Sequence, residues 1–443
     1  MIRKVFLTPF QKFIKIEGFS GILLLLSTII ALTWANSSFG NTYAELWDYK
    51  IGISGEGFEL KKPLLLWIND GLMAIFFFLI GLEIKREVLI GELNSVKKLA
   101  FPLFGAIGGA LIPVGLYILL NQNPETFKGW GIPMATDIAF SLAVLNALGK
   151  RVPLSLKIFL IAFAIVDDIE AVLVIAIFYS GTIKTTLLLI ALGLLAVLYF
   201  LSYKGYYSKF ILFFTGVVVW VLFLKSGVHP TVAGILLAFS VPISQKINSS
   251  TFITQLEKVY NNIKSASILR KPILSNEQIE SMDDLESWSN KFQSPLQHLE
   301  HNLHGWVAYF IIPVFALANA GVLIDSSAGI EVALVINIVI CLVLGKGLGI
   351  PIVIFIAEKL NLLQIPADIN FKQIIGVSFI AGIGFTMAIF VASLAFTSSP
   401  EYISSAKIGI LLGSLISAVI GYLILRFGTK KNTVLKKGMR IVQ

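Results

Sequence analysis

A single cysteine, Cys341, stands in 443 residues, so no disulfide forms within the chain and no extracytoplasmic staple holds it. Charge is scarce as well: Asp, Glu, Lys and Arg make up 14 % of residues against 56 % hydrophobic, and mean hydropathy is +0.84. That balance excludes an ordinary soluble domain and leaves a polytopic membrane protein. The first apolar run follows basic residues as a signal peptide would, but it has span length and no clear small-residue cleavage site. It reads as an uncleaved helix.

About twenty apolar residues cross a bilayer as a helix. By that measure spans are expected to begin near Phe19, Pro63, Leu99, Gly129, Leu156, Thr186, Phe210, Gly227, Trp306, Ile330, Gln373 and Ala406, about twelve in all, those near Phe210 and Gly227 being short. The predicted fold class is therefore an all-α polytopic membrane protein of about 12 transmembrane helices. Eight helices fall within residues 1–244 and four within 299–428. Between them, residues 245–298 form a polar, partly helical cytoplasmic insertion, and 429–443 are a basic cytoplasmic tail. Tyr43 to Lys62, with ISGEGFEL at its centre, reads as a small outside hairpin turning through glycines.

Loop charge sets the orientation, because Lys and Arg accumulate on the cytoplasmic side. With both termini inside, 27 of the 35 Lys and Arg are cytoplasmic, seven lie outside and one, Lys346, stays within a span. The net charge of +9 is then mostly a topology signal and implies no nucleic-acid partner.

Five ionisable residues sit inside expected spans, where a charge costs roughly 2.5–3.5 kcal/mol on insertion scales and marks function by default. Asp137 lies in WGIPMATDIAFSLAVL; Asp167, Asp168 and Glu170 lie in LKIFLIAFAIVDDIEAVLVIAIFY; Lys346 lies in VLGKGLGIPIVIF. Asp167 and Asp168 are about 100° apart on a helix, while Asp167 and Glu170, three residues apart, share a face. One lysine offsets one carboxylate. The others must be protonated, hydrated or coordinated to a cation, which is the physical basis of proton and cation competition for one site.

The backbone points the same way. Asp137 follows Pro133 and Thr136, and FIAGIGFTMAIF places Gly382, Gly384 and Thr386 where a helix would weaken. Broken helices at membrane depth are tolerated where protein buries them or water lines them. Two such breaks would bring opposed dipole ends together, with Asp137 compensating the positive end and Lys346 the negative one.

These residues give the chain its resemblance to the NhaA-type sodium/proton antiporters. It rests on LLLWINDGLMAIFFFLIGLEIKRE from Leu64, IPMATDIAF from Ile132, RVPLSLKIFLIAFAIVDD from Arg151, LKSGVHPTVAG from Leu224, LEHNLHGWVAY from Leu299 and GIGFTMAIFVASLAF from Gly382, in that order. The resemblance implies inverted repeats with two discontinuous helices crossing at mid-membrane. It implies Asp168 as the principal cation and proton carrier, with Asp167 either sharing that role or paired to Lys346. Asp137 would compensate the crossed helices, with Thr136 as an oxygen ligand. Glu83, Lys85, Arg86, Glu87, His229, Glu300, His301 and His304 resemble the family's cytoplasmic residues associated with pH control. The chain departs from the family pattern at Glu170, where glycine is usual, and at Gly347, where proline is usual. Glu170 is thus a candidate modifier of the site.

The implied function is secondary antiport of intracellular Na+ or Li+ against external protons, electrogenic and pH-regulated, with no enzymatic step and no cofactor. The implied setting is a multi-pass protein of the bacterial inner membrane, surrounded by lipid, with a homodimer as an expected assembly. Other classes fit less well. An intramembrane aspartyl protease would carry its acids on separate helices with a GxGD signature, and GIGF at Gly382 has no acid. A prenyltransferase would need DDxxD, but Ala171 stands three after Asp168. A channel needs no proton-coupled carboxylate, and a bile-acid-type symporter gives no reason for adjacent acids.

Overall fold

Long apolar runs leave the backbone only its own N–H and C=O groups to pair with, so the chain folds into helices that end where capping or glycine takes over. The computed structural model describes residues 9–55, 58–91, 93–266, 273–323, 329–397 and 399–428. The basic tail expected over 429–443 lies outside the described residues.

Helix α1 (Pro9–Ala35) meets α2 (Gly40–Asp48) at a 111° bend. Strands β1 (Lys50–Gly55) and β2 (Phe58–Pro63) then pair antiparallel with Ile53 opposite Leu60, in the segment read as a hairpin. Helix α3 (Leu64–Leu89) follows, then α4 (Val96–Leu120), a 3-10 turn over Pro124–Met134, α5 (Ile138–Ala147) and α6 (Leu154–Phe178). Helices α7 (Thr185–Tyr203) and α8 (Lys209–Ser226) precede the short α9 (Pro230–Phe239). Gly227 stops α8 at φ +90°, a left-handed conformation that favours glycine.

The polar insertion is two helices, α10 (Ser249–Ala266) and α11 (Asn276–Phe292), the second started by a capping box of Ser275 and Gln278. They are clasped by Phe252 stacked on Phe292, ring centroids 4.3 Å apart. The rest is α12 (Pro295–Asn319), α13 (Val332–Lys359), the pair α14 (Phe371–Ala381) and α15 (Phe385–Ala395), and α16 (Pro400–Gly428).

Seven of these helices are long and apolar enough to cross a membrane among the described residues, or nine if each bent pair is one span. The expected starts near Pro63, Leu99, Thr186, Phe210, Trp306, Ile330 and Ala406 fall on the seven. Those near Phe19 and Gln373 fall on the bent pairs. The remaining three differ for physical reasons: α6 has the length but carries Asp167, Asp168 and Glu170, while α5 and α9 have ten residues each. Among the described residues, three π-helical turns widen the spans without breaking them, at Trp67–Leu72, Val307–Ile311 and Cys341–Lys346. Beyond the last of these, with Gly347 in place of a proline, α13 runs on past Lys346.

One large core joins α1 to α6 with α12 to α16. Helices α7 and α8 stay largely exposed and apolar, a surface suited to lipid. Helix α9 lies close along α3, where Gly81 faces Ile235 and Ala238, and Gly234 faces the backbone of Ala74 and Phe78.

Candidate functional site

The site begins where two helices stop. From Ala135 to Asp137 the backbone is extended, and Asp137 is the N-cap of α5, its Oδ1 accepting from the Phe140 N–H at 2.9 Å. Opposite it, α14 and α15 are separated by Gly382 to Gly384 and bent by 45°. The two gaps share their unsatisfied groups. The Asp137 N–H donates to Ile383 O at 2.7 Å, Thr136 Oγ1 to Ala381 O at 3.0 Å, and Ser141 Oγ to Ile380 O at 3.0 Å. In return Asp137 Oδ2 accepts from the Thr386 N–H at 3.1 Å and from Thr386 Oγ1 at 2.5 Å. A side chain at Gly384 would meet Ala135 O at 3.0 Å, so the close approach needs glycine there.

Helix α6 brings its acids to this junction from the side. Asp167 and Asp168 are both buried, at 2 % and 3 % exposure, and Lys346 is fully buried at 0 %. The Lys346 ammonium donates to Thr136 Oγ1 and sits 3.1 Å from Asp167 Oδ2, with the Phe163 ring 5.8 Å away. The structure thus holds Asp167 against Lys346. Asp168, about 100° round the helix, turns instead into a cavity of about 50 Å³ shared with Thr136, Asp137, Thr386, Glu83 and His304. Its Oδ2 is buried with no hydrogen-bond partner among the described residues. The adjacent acids are thus divided, one fixed by an ammonium and one facing space.

Glu170 is on the Asp167 side. It does not line the cavity, and it interacts electrostatically with both Asp167 and Lys346.

Glu83 and His304 line the same cavity as Asp168, with His304 Nδ1 3.9 Å from Glu83 Oε1. One turn on, Arg86 bridges two acids at 2.7 Å each, Glu87 on its own helix and Glu300 on α12. Lys85 donates to the carbonyls of Phe239 and Val241 where α9 ends. His301 is exposed on α12. So Glu83, Glu87, Glu300 and His304 come together with Arg86 at one end of α3.

His229 does not join them. It is the N-cap of α9, with Nε2 3.7 Å from Asp70 Oδ1, while Lys62 holds the other Asp70 oxygen at 2.8 Å. Asp70 and Glu83 are thirteen residues apart on α3, about 20 Å at 1.5 Å per residue. Grouping His229 with the cytoplasmic residues is corrected accordingly: a family motif carries residue identity, but α9 runs along α3 and puts its N-terminus at the opposite end.

The description "Na+/H+ antiporter 1" belongs to the family model that matches residues 11–425. The chain is a member of that family. It is 43 % identical over 423 residues to the "Na(+)/H(+) antiporter NhaA" of Oleidesulfovibrio alaskensis, covering 95 % of this chain and 94 % of that one. It is 43 % identical over 433 residues to "Na(+)/H(+) antiporter NhaA 1" of Saccharophagus degradans, covering 97 % and 93 %. The "Na(+)/H(+) antiporter NhaA" of Helicobacter pylori is 45 % identical over 430 residues, covering 96 % and 97 %.

Two features of this antiporter-family site are hidden in the sequence. Thr386 shows there only as a residue that weakens a helix, whereas it is the partner of Asp137. Asp70, with Lys62, His229 and the reciprocal amide pair of Asn69 and Asn319 beside it, does not stand out at all. The available signal is the position of Asp70, only seven residues into a span expected from Pro63.

Proposed function

We propose that this protein exchanges intracellular Na+ or Li+ for external protons by secondary antiport, electrogenically and under pH control, with Asp168 as the carrier. The observation that carries the reading is the division of the two acids: Lys346 is taken by Asp167, and Asp168 is left buried in a small polar cavity with one oxygen unpartnered among the described residues. A carboxylate in such a place needs a proton or a cation beside it. Occupancy by one excludes the other, and that exclusion is the coupling. No bond of the substrate is made or broken.

Sodium and lithium are hard cations that favour oxygen ligands. Asp168, with Thr136 and carbonyls of the interrupted backbone nearby, provides that donor set. Asp137 compensates the helix ends of the two breaks, which in this reading cross at mid-membrane as parts of inverted repeats. The cycle runs from a deprotonated Asp168 that takes the cation from the cytoplasm, through reorientation, to displacement of the cation by external protons. Glu83, Glu87, Glu300, His301 and His304 set the pH response at the cytoplasmic mouth, and His229 acts from the other end. The protein works in the bacterial inner membrane with both termini inside, as a homodimer.

The test is sodium-evoked pH change in everted vesicles or proteoliposomes over pH 6.5 to 9, for wild type and Asp168→Asn, with potassium as control. Sodium or lithium should release quenching in the wild type only, and potassium in neither. A wild type that is inserted and folded but gives no response at any pH overturns the reading.

A further inference from the structure

Glu170 has no part in the exchange as described. It sits one helical turn from Asp167 on the same face, outside the cavity, in a chain where charge at this depth is costly. One of its oxygens, Oε2, is buried with no hydrogen-bond partner among the described residues. The groups within its electrostatic reach are Asp167 and Lys346. Lys346, in turn, is the one fully buried ammonium at the site among the described residues; its ionic contact is with Asp167, at 3.1 Å, and Glu170 stands one helical turn farther along α6.

We infer that Glu170 is a positioning residue that shares the Lys346 ammonium with Asp167 and thereby leaves Asp167 available to the transported cation. The inference rests on the antiport reading above. An ammonium with three N–H donors and a flexible four-carbon stem serves two acceptors more readily than a planar guanidinium would. Its contacts in the structure are Thr136 and Asp167; the second carboxylate lies beyond Asp167 along α6, on the side away from the cavity. As a cation draws Asp167 toward Asp168, the lysine would otherwise be left buried without an anion. Glu170 offers that anion one turn away. Glu170 therefore lowers the cost of separating Asp167 from Lys346, and the gain appears as cation affinity.

The coupling runs through the lysine, which separates this role from simple attraction of sodium by another negative charge. Groups in one such network shift one another's energies enough to change an equilibrium severalfold, so an effect of about threefold to tenfold is expected.

The test is sodium binding by calorimetry on the purified full-length protein, for wild type, E170Q, E170D, K346Q and E170Q/K346Q, with transport KM and kcat for the first three. E170Q should raise the sodium Kd about threefold to tenfold, the loss appearing mainly in KM, and E170D should restore most of it. In the K346Q background E170Q should change Kd by less than about twofold. An unchanged Kd in E170Q overturns the inference. So does an equal shift with and without the lysine, which would make Glu170 a direct attractor of the cation. If K346Q fails to fold, E170Q combined with Ile169→Glu decides: it keeps an acid at similar depth but turns it about 100° away from Lys346. Recovered affinity there overturns lysine sharing, and unrecovered affinity supports it. A folded wild type that neither binds sodium nor moves protons with it removes the antiport reading itself.

Discussion

Thr386 gives Asp137 two donors at once: its N–H and its hydroxyl reach the same carboxylate oxygen, Oδ2, at 3.1 and 2.5 Å. Residues 249 positions apart thus fasten the first turn of α15 to the N-cap of α5. Hydrogen bonds to a charged group contribute about 1.5–3 kcal/mol each, and removing a buried acceptor costs its donors their full desolvation. Thr386→Val, which keeps the shape and loses the hydroxyl, should lower stability by about 1.5–3 kcal/mol, and Asp137→Ala should lower it further. Thermal unfolding in detergent checks both, and a T386V protein as stable as wild type would refute the fastening.

Lys346 and Asp167 form a pair in which neither member has another ionic partner as close among the described residues, the ammonium lying 3.1 Å from Oδ2. Breaking a buried pair from one side costs roughly 3–5 kcal/mol because it strands the other charge, whereas removing both charges is often close to neutral. Lys346→Gln should therefore destabilise strongly, and adding Asp167→Asn should recover much of the loss. Unfolding temperatures of the two singles and the double form the cycle. Additive losses would show that the pair is not what stabilises this junction.

The residues that announce themselves in sequence do so by contrast with their surroundings. Asp137, Asp167, Asp168 and Lys346 are charges in apolar runs, and a place for Asp137 and Lys346 near the breaks is legible because a helix end at membrane depth calls for a compensating charge. Pairings are not legible. The tie from Thr386 to Asp137 and the shared cavity of Asp168, Glu83 and His304 depend on how helices far apart in sequence pack. Asp70 is hidden because a charge near a span end reads as an anchor, and His229 is misplaced because α9 is short and its direction along α3 is set by the Gly81 and Gly234 contacts. Ten-residue helices carry too few apolar residues to declare how they cross a membrane.

The proposed competition at Asp168 carries a sign for pH. If protons and sodium claim that one carboxylate, acid must weaken sodium binding and base must strengthen it until the carboxyl is fully ionised. For one competing proton the sodium KM should fall by up to about tenfold per pH unit as pH rises, then level off. Measuring KM in proteoliposomes in half-unit steps from pH 6.5 to 8.5 reads this directly. A sodium KM that is flat, or that rises with pH, would be incompatible with a shared carboxylate.

At the other end of the cavity, Arg86 makes two ion pairs of equal length but unequal consequence. Glu87 is its neighbour on α3, so that contact links nothing that the helix does not already hold; Glu300 belongs to α12, so the 2.7 Å contact there fastens two spans beside Glu83 and His304, which line the cavity. Glu300 is largely withdrawn from solvent and Arg86 is one-third exposed, which spares the pair part of the screening that makes surface ion pairs weak. A double-mutant cycle on Arg86→Gln and Glu300→Gln should therefore return a coupling of about 1–3 kcal/mol, while the same cycle on Arg86 and Glu87 should return less than about 0.5 kcal/mol. Unfolding free energies of the six proteins give both numbers. Equal couplings would mean that Arg86 acts as a local charge on α3 and does not tie it to α12.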